Sequence, residues 1–382
     1  MIIGGIIIGL LILTALVVVH ELGHAIAARR SGVVVEEFGI GFPPKAWGKK
    51  LKNGILFTIN WLPIGGFVKL KGEHDSADKK GDYGKATFWQ KTKILFAGVL
   101  MNWLVACLIF TILAFVGLPK IFNNQFSIPS DTTTVYSPVT ISRVVDGSPA
   151  SQAGLQADDE ILSIQDVRIE LASQISELTS SHRGKTVDIQ FRRDGQDQTA
   201  TAELRSNNDN GEGYLGVGTY QNASLRATWS APIVGVGTTV QFTAETFKGL
   251  GQMFGNLFGG LIKQLSPNSD TRQSGQDSIS SAGENVAGPI GIIGIIFPAA
   301  AQSGAITLLY LTAIISLSLA VMNILPIPAL DGGRWFLMAF FRLRKKPLTK
   351  ETEEKINFVG FVILLSLIFI VTIVDITKVF GS

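Results

Sequence analysis

Four stretches of the chain carry no charged residue over a length suited to a membrane: 2–19, 94–118, 304–330 and 356–374. A helix needs about 18–20 apolar residues to cross a hydrocarbon core of ~30 Å, so each stretch predicts a spanning helix. The first has no basic start and no small-residue cleavage site, and it ends in a charged motif, so it reads as a retained span rather than a signal peptide. Between the first two spans the pattern changes. Val33 to Pro44 and Ile55 to Pro63 are rich in β-branched and aromatic residues, with Asn53-Gly54 between them as a turn. Their glycines and prolines forbid a spanning helix. Their apolarity predicts a membrane-associated β-hairpin that dips into the protein and ends at Gly65-Gly66. Residues 71–86 are polar and read as a loop.

From 126 to 220 the pattern is that of a small soluble domain. Short strands are predicted at 139–144 and 186–191, a helix near 170–181, and a hairpin turn at Asp194-Gly195. Residues 226–264 are weakly amphipathic, with Phe242, Phe247, Phe254 and Phe258 interleaved with Gln241, Glu245 and Lys248. They predict one or two helices on the membrane surface, the alternative being a fifth span. Residues 266–285, rich in Ser, Asn, Asp and Gln, predict a flexible linker. The chain thus divides into 1–125, 126–220, 221–285 and 286–382.

Composition agrees with a bilayer protein. Hydrophobic residues make up 46% and charged residues 16% of the chain, against about 25% charged in a typical soluble domain. The net charge of +3 is too small to argue for nucleic acid. Its distribution says more: residues 29–93 hold thirteen Lys or Arg, and Arg342-Leu343-Arg344-Lys345-Lys346 lies between the last two spans. The positive-inside tendency places both segments in the cytoplasm, with 119–285 and both termini outside. Cys107 is the single cysteine, which excludes an intrachain disulfide and a cysteine-rich zinc site.

His20-Glu21-Leu22-Gly23-His24 fits the HExxH pattern. Two histidines four apart share one helix face and can reach one zinc, and the intervening glutamate can act as general base. Polar residues at the end of a membrane helix are costly unless partnered, which favours a functional role over three interfacial side chains. Catalytic zinc usually takes three protein ligands. His74 lies in a polar loop and His182 in the outside domain, and both read as solvated surface. Asp331 follows Pro326 and Pro328 at the cytoplasmic end of the third span, the depth that topology assigns to His20 and His24. Gly332-Gly333 permit close backbone approach there.

Four segments carry a family resemblance: His20 to His24, Leu62-Pro63-Ile64-Gly65-Gly66-Phe67-Val68-Lys69, Gly288-Pro289-Ile290-Gly291, and Asn323 to Gly333 with its NxxPxPxLDG pattern. Together they resemble the site-2 protease family of bacterial intramembrane zinc metalloproteases. The resemblance implies Zn2+ as cofactor, His20, His24 and Asp331 as ligands, and Glu21 as the catalytic base. It implies that Asn323 engages the substrate backbone, where the bland alternative is a helix-to-helix hydrogen bond, and that Gly65 and Gly66 lie in a substrate-binding segment. The implied substrates are single-span membrane proteins such as anti-sigma factors and remnant signal peptides, cut in the bacterial inner membrane near its cytoplasmic face.

Gly147 to Leu155 and Asp159 to Ile164 resemble a PDZ domain, with Tyr214-Leu215-Gly216-Val217 resembling its carboxylate-binding strand in permuted order. Such a domain binds extended peptides by strand addition or serves as a steric gate. Ala157 stands where these segments usually have Gly. The expected fold is a polytopic α-helical membrane protein with four transmembrane helices, a membrane-associated β-hairpin and one extracytoplasmic PDZ domain of β-rich α+β class. Two rivals stay open: a non-catalytic PDZ-bearing scaffold, and a metal-handling transporter. The transporter needs polar residues deep in several spans, where the second and fourth offer mainly Asn102, Thr111 and Asp375.

Overall fold

A computed structural model describes residues 2–208, 211–284 and 288–380. It divides into two compact units, 1–113 with 231–382, and 114–230. In chain order, the first unit opens with α1 (Ile2–Arg30), β1 (Val35–Lys50), β2 (Leu56–Leu70) and α2 (Phe88–Val116). The second unit holds β3 (Leu118–Pro119), β4 (Thr133–Tyr136), β5 (Val139–Val144), α3 (Pro149–Gln152), β6 (Glu160–Ile164), β7 (Val167–Arg168), α4 (Ala172–Ser181), β8 (Thr186–Arg193), β9 (Gln196–Glu203), β10 (Val217–Tyr220) and β11 (Ala223–Arg226). The first unit resumes with α5 (Ala231–Gln264), α6 (Ser269–Glu284), α7 (Pro289–Gly291), a π-helical turn over 292–296, α8 (Phe297–Gln302), α9 (Ala305–Ile324), α10 (Asp331–Leu343) and α11 (Lys350–Phe380).

Among the described residues α1, α2 and α9 are long and apolar enough to cross a membrane. The uncharged stretch 356–374 lies within α11. The charge-free run 304–330 does not form one helix. It breaks after Ile324, where Leu325 turns extended, and Asp331 opens α10. Pro326 and Pro328 account for the break, since neither offers a backbone N–H to continue α9. The π-helical turn has a similar cause. Pro298 cannot donate into the preceding turn, and the Phe297 N–H reaches back five residues to the Ile292 carbonyl. The widened turn sets Phe297 and Pro298 against α1, where a Cβ on Gly9 would lie 2.7 Å from the Phe297 ring and one on Gly5 2.5 Å from Pro298 Cα. This is small-residue packing between helices, which membrane interiors favour because apolar side chains gain little from burial there.

The two strands β1 and β2 are long enough to fold back on themselves. Residues 35–40 pair with 66–70 on one side and with 56–59 on the other, and 45–50 pair with 56–60. The result is a four-segment sheet with 66–70 and 45–50 at the edges, each edge pairing antiparallel and the central segments 37–40 and 56–59 running in parallel register. Asn53-Gly54 makes the expected turn: Gly54 has φ +87°, and Asn53 Oδ1 accepts from Ile55 N at 3.2 Å. Gly65-Gly66 does not end the sheet, as the sequence suggested. Gly65 only turns the chain, at φ +77°, and β2 continues to Leu70. This last segment runs alongside α1 in the same direction. Thr14 Oγ1 donates to the Pro63 carbonyl at 2.8 Å, a Cβ on Gly66 would lie 3.4 Å from Val18 Cγ2, and Val68 N donates to Glu21 Oε2 at 3.0 Å.

Helix α5 is a single element of 34 residues. Over 235–243 it runs antiparallel to α2 rather than apart on a surface, contrary to the expectation for that stretch. A Cβ on Gly235 would strike Thr111, Phe242 stacks on Phe110 at 5.4 Å, and Trp103 Nε1 donates to Thr243 Oγ1 at 3.2 Å. Small residues at 235, 238 and 239 make room for that approach. The flexible linker expected at 266–285 is also corrected. Residues 269–284 form α6, which packs on the end of α5 through Gly260 and Gly275, where missing side chains let the two backbones meet. Residue 285 lies outside the described residues.

The second unit follows its sequence pattern closely. Strand β8 buries Val187, Ile189 and Phe191 and exposes the residues between, the period of 2 expected of a half-buried strand. Asp194 and Gly195 both take positive φ, 52° and 79°, the requirement of a tight two-residue hairpin. The main sheet runs β10-β5-β6-β8-β9, with β7 on β6, and β3-β11-β4 form a second. Ala157 causes no strain, because the positive φ of that turn falls on Asp158 (71°). Asp159, 1% exposed, is gripped by both ends of the Arg193 guanidinium at 2.7 Å.

Asp131 fastens the stretch after β11. It accepts from Thr228 N at 2.8 Å, Ser230 N at 3.0 Å, Ser230 Oγ at 2.5 Å and Thr228 Oγ1. The hydroxyl of Ser230, then that of Thr228, draws the Asp131 carboxyl down from 3.8 to about 2. A depressed carboxylate stabilises the fold above its unfolded value near 4 and stops doing so as pH falls through about 2. Asp131→Asn is therefore expected to lower the Tm of the purified chain at pH 7, with the gap from wild type closing as pH drops from 4 to 2. An unchanged gap across that range would show that the charge is not what fastens this stretch.

Candidate active site

His20 and His24 lie one turn apart on α1, each 7% exposed. Glycine makes the space they occupy. Gly23 lets α1 approach α2 until a Cβ would sit 2.4 Å from the Ala97 carbonyl oxygen. One residue along α2, a Cβ on Gly98 would lie 2.5 Å from His24 Nε2 and 2.8 Å from His20 Nε2. No alanine fits there. His24 Nδ1 donates to the Ile94 carbonyl at 2.8 Å, which fixes its proton on that nitrogen and turns the Nε2 lone pair inward. His20 Nδ1 is buried with no hydrogen-bond partner.

The third side chain arrives from the other end of the sequence. Leu330 is extended (φ −100°, ψ 162°), and Asp331 is the first residue of α10. Gly332 and Gly333 let this helix start pack directly on the preceding turn, where Cβ atoms would collide with the Ile324 and Ile327 carbonyls. Asp331 Oδ2 lies 3.1 Å from His20 Nε2 and 3.2 Å from His24 Nε2, and the two imidazole nitrogens are 3.1 Å apart. Among the described residues these three form the one group of such side chains able to share an ion.

The geometry fits zinc. Zinc bonds of about 2.0–2.2 Å in a tetrahedron put ligand atoms roughly 3.3 Å apart, close to the three spacings seen. Two neutral imidazoles and one carboxylate leave a fourth position open, as catalytic zinc requires.

A cavity of about 570 Å³ opens on this group, lined among others by Glu21, Phe67, Val68, Tyr83, Asn323 and Arg334. Asn323 is present at its wall, but its Nδ2 donates to Leu319 O at 2.9 Å within α9. Gly65 and Gly66 do not line the cavity, which is reached instead by the next residues of β2, Phe67, Val68 and Leu70. His74 is elsewhere, 3.6 Å from Glu354, and His182 caps α4 in the second unit.

Sequence reasoning missed the brace around Arg334. Three residues after Asp331, its guanidinium pairs with Glu353 at 3.1 Å and Glu73 at 3.3 Å, donates to the Glu73 carbonyl, and lies 4.6 Å from the centre of the Tyr83 ring. Glu353 also accepts from Asp75 N at 2.9 Å, and Asp75 is bonded by Lys91 of α2. Tyr83 is fully buried with its hydroxyl on Met338 Sδ at 3.6 Å, and burial pushes its phenol up, so it stays neutral. The polar stretch 71–86 is therefore a pinned strap joining α2, α10 and α11.

The profile of peptidase family M50 matches residues 8–367. The chain belongs to peptidase family M50. A Clostridium perfringens relative is 32% identical over 371 residues, covering 97% of this chain and 98% of its own. The zinc metalloprotease RasP of Geobacillus kaustophilus is 27% identical over 446 residues, covering 96% of each chain. A solved PDZ domain from Listeria monocytogenes shares 23% identity over 22% of this chain and 90% of its own, with a TM-score of 0.20. This M50 chain is a membrane protein and a zinc metalloprotease.

Two outcomes test this construction. Gly98→Ala is expected to leave the purified protein well below one zinc per chain by elemental analysis, and full zinc content would refute the role given to that gap. Arg334→Gln strands the buried Glu353 charge, and losing one partner of such a pair costs about 3 kcal/mol. It is expected to lower the Tm in detergent; an unchanged Tm would mean the brace carries no stability.

Proposed function

We propose that this protease hydrolyses peptide bonds within or beside the membrane-spanning segments of single-span membrane proteins, with zinc held by His20, His24 and Asp331 and with Glu21 as general base. The carrying observation is the convergence of His20 and His24, on an apolar helix, with Asp331, more than 300 residues later, at 3.1–3.2 Å. Zinc, when bound, supplies Lewis-acid polarisation of the scissile carbonyl and acidifies water. The chain's own groups do the rest.

Glu21 has one carboxylate oxygen held by the Val68 N–H at 3.0 Å. The other is free to accept a proton from the attacking water and pass it to the leaving amine. The 66–70 segment is a sheet edge bordering the cavity. A helical substrate carbonyl is hydrogen-bonded and shielded, so the helix must unwind, and pairing with this edge offsets the bonds it loses. Asn323 at the cavity wall is suited to meet the unwound backbone once it leaves Leu319.

By charge bias the segments 29–93 and 342–346 face the cytoplasm in a four-span arrangement within a bacterial inner membrane, with 126–220 outside. The strand order and the α4 helix of that domain agree with a PDZ-like unit, which we read as a steric gate against substrates that retain large outside domains. Anti-sigma factors and remnant signal peptides are substrates of fitting size. The peptidase-family match, with His20, His24 and Asp331 converging beside Glu21, favours this reading over the scaffold and transporter ones.

Glu21→Gln is expected to keep its zinc and lose at least about 100-fold in cleavage of a purified single-span substrate. Cleavage at the wild-type rate would remove Glu21 as base. Cut sites mapped by mass spectrometry to soluble loops would overturn the substrate class.

A further inference from the structure

On the side of α1 and α2 away from the catalytic cavity, a groove of about 380 Å³ lies between the two helices. Its floor is the close approach of Gly23 to Ala97, and its mouth carries Arg30 from the last turn of α1 and Lys93 from the second turn of α2. No acidic residue lines it. Neither cation has an ion pair or side-chain hydrogen bond among the described residues, whereas neighbouring Lys91 is committed to Asp75. Two unpaired positive charges therefore share one concave site.

Below the charges the walls turn apolar. Ile26 on α1 and Leu100 on α2 line the groove and stay exposed, at 39% and 54%. The exposed apolar track runs on one turn deeper through Leu22 and Leu104, at 41% and 47%. On α1 the order is Leu22, Ile26, Arg30, and on α2 it is Leu104, Leu100, Lys93, so the cations of both helices sit at the same end. Trp89, 70% exposed and one turn before Lys93, marks that end as headgroup depth, where aromatic rings gather. A phosphate group fits the rim and an acyl chain fits the track.

We propose that this groove binds one anionic phospholipid, its headgroup phosphate between Arg30 and Lys93 and an acyl chain along Ile26 and Leu100. Basic clefts between helices at the cytoplasmic surface suit such headgroups. The free-phosphate alternative leaves the apolar track uncovered, which is why the lipid is favoured. The site adjoins the chemistry: Gly23 precedes His24 and Ala97 precedes Gly98, so a lipid wedged here presses on the two backbones that set the imidazole gap. The inference rests on α1 and α2 spanning a bilayer.

The test uses the full chain in nanodiscs of phosphatidylcholine with a minor share of phosphatidylglycerol, followed by native mass spectrometry after partial delipidation. Wild type is expected to retain one phosphatidylglycerol in preference to the neutral lipid. Arg30→Gln/Lys93→Gln is expected to lower that retention about tenfold while keeping full zinc content, which checks its fold. A charge-matched Lys49→Gln/Lys50→Gln control is expected to retain it. Equal retention of both lipids, or no loss in the double variant, would overturn the site, and stripping of the lipid by inorganic phosphate would reassign it to a soluble anion. A chain that remains soluble without detergent or lipid would sink the spanning reading as well; an embedded chain indifferent to headgroup charge sinks only this inference.

Discussion

The structure depends on bringing the Asp331 carboxylate within 3.2 Å of two imidazoles that lie more than 300 residues earlier. Three such groups, buried together, are costly without a shared cation, since polar groups removed from water must find partners. The fold answers by removing side chains rather than adding contacts. Gly23 and Gly98 bring α2 against the histidines, and Gly332 and Gly333 bring α10 tight onto the turn that ends α9. Each glycine marks a place where two backbones, or a backbone and a ligand ring, occupy the space of a methyl group.

Close approach alone would leave α10 free to slide. The strap 71–86 prevents this with a different chemistry. Arg334 sits one turn beyond Asp331, and its bonds reach the strap at Glu73 and Tyr83 and α11 at Glu353. Lys91 and Asp75 carry the connection back to α2. The segment bearing Asp331 is thus tied to α2, whose Gly98 leaves room for His20 and His24. Packing sets the distance, and a network of paired charges holds it.

The convergence of His20, His24 and Asp331 was legible in the sequence because its first two members are local. Two histidines four apart on a helix need no tertiary information, and Asp331 followed from depth along the third span. Apolar run lengths likewise gave α1, α2 and α9, and alternation gave β8. The misses share a cause. Gly65-Gly66 read as a stop because glycine weakens a strand and can equally mark a bend, and only the pairing of 66–70 with 35–40 distinguishes the two. Residues 269–284 read as linker because their composition is polar, while what folds them is a glycine contact between Gly260 and Gly275. Gly98 and Arg334 went unseen because neither lies in a spacing pattern. Their roles exist only across elements distant in sequence.

Strand β2 connects these pieces along α1. From Pro63 at Thr14, through Gly66 at Val18, to Val68 at Glu21, it descends the helix one turn at a time, and the chain then enters the strap at Glu73 beside Arg334. The edge proposed to pair with an unwound segment is therefore continuous with the N–H bonded to Glu21 and with Glu73, which pairs with Arg334 one turn beyond Asp331. A peptide pairing there, as proposed, would pull on the same backbone that bonds Glu21. On the proposed mechanism, alignment of substrate and of Glu21 would be one mechanical event, because a single strand segment borders the cavity and bonds that carboxylate.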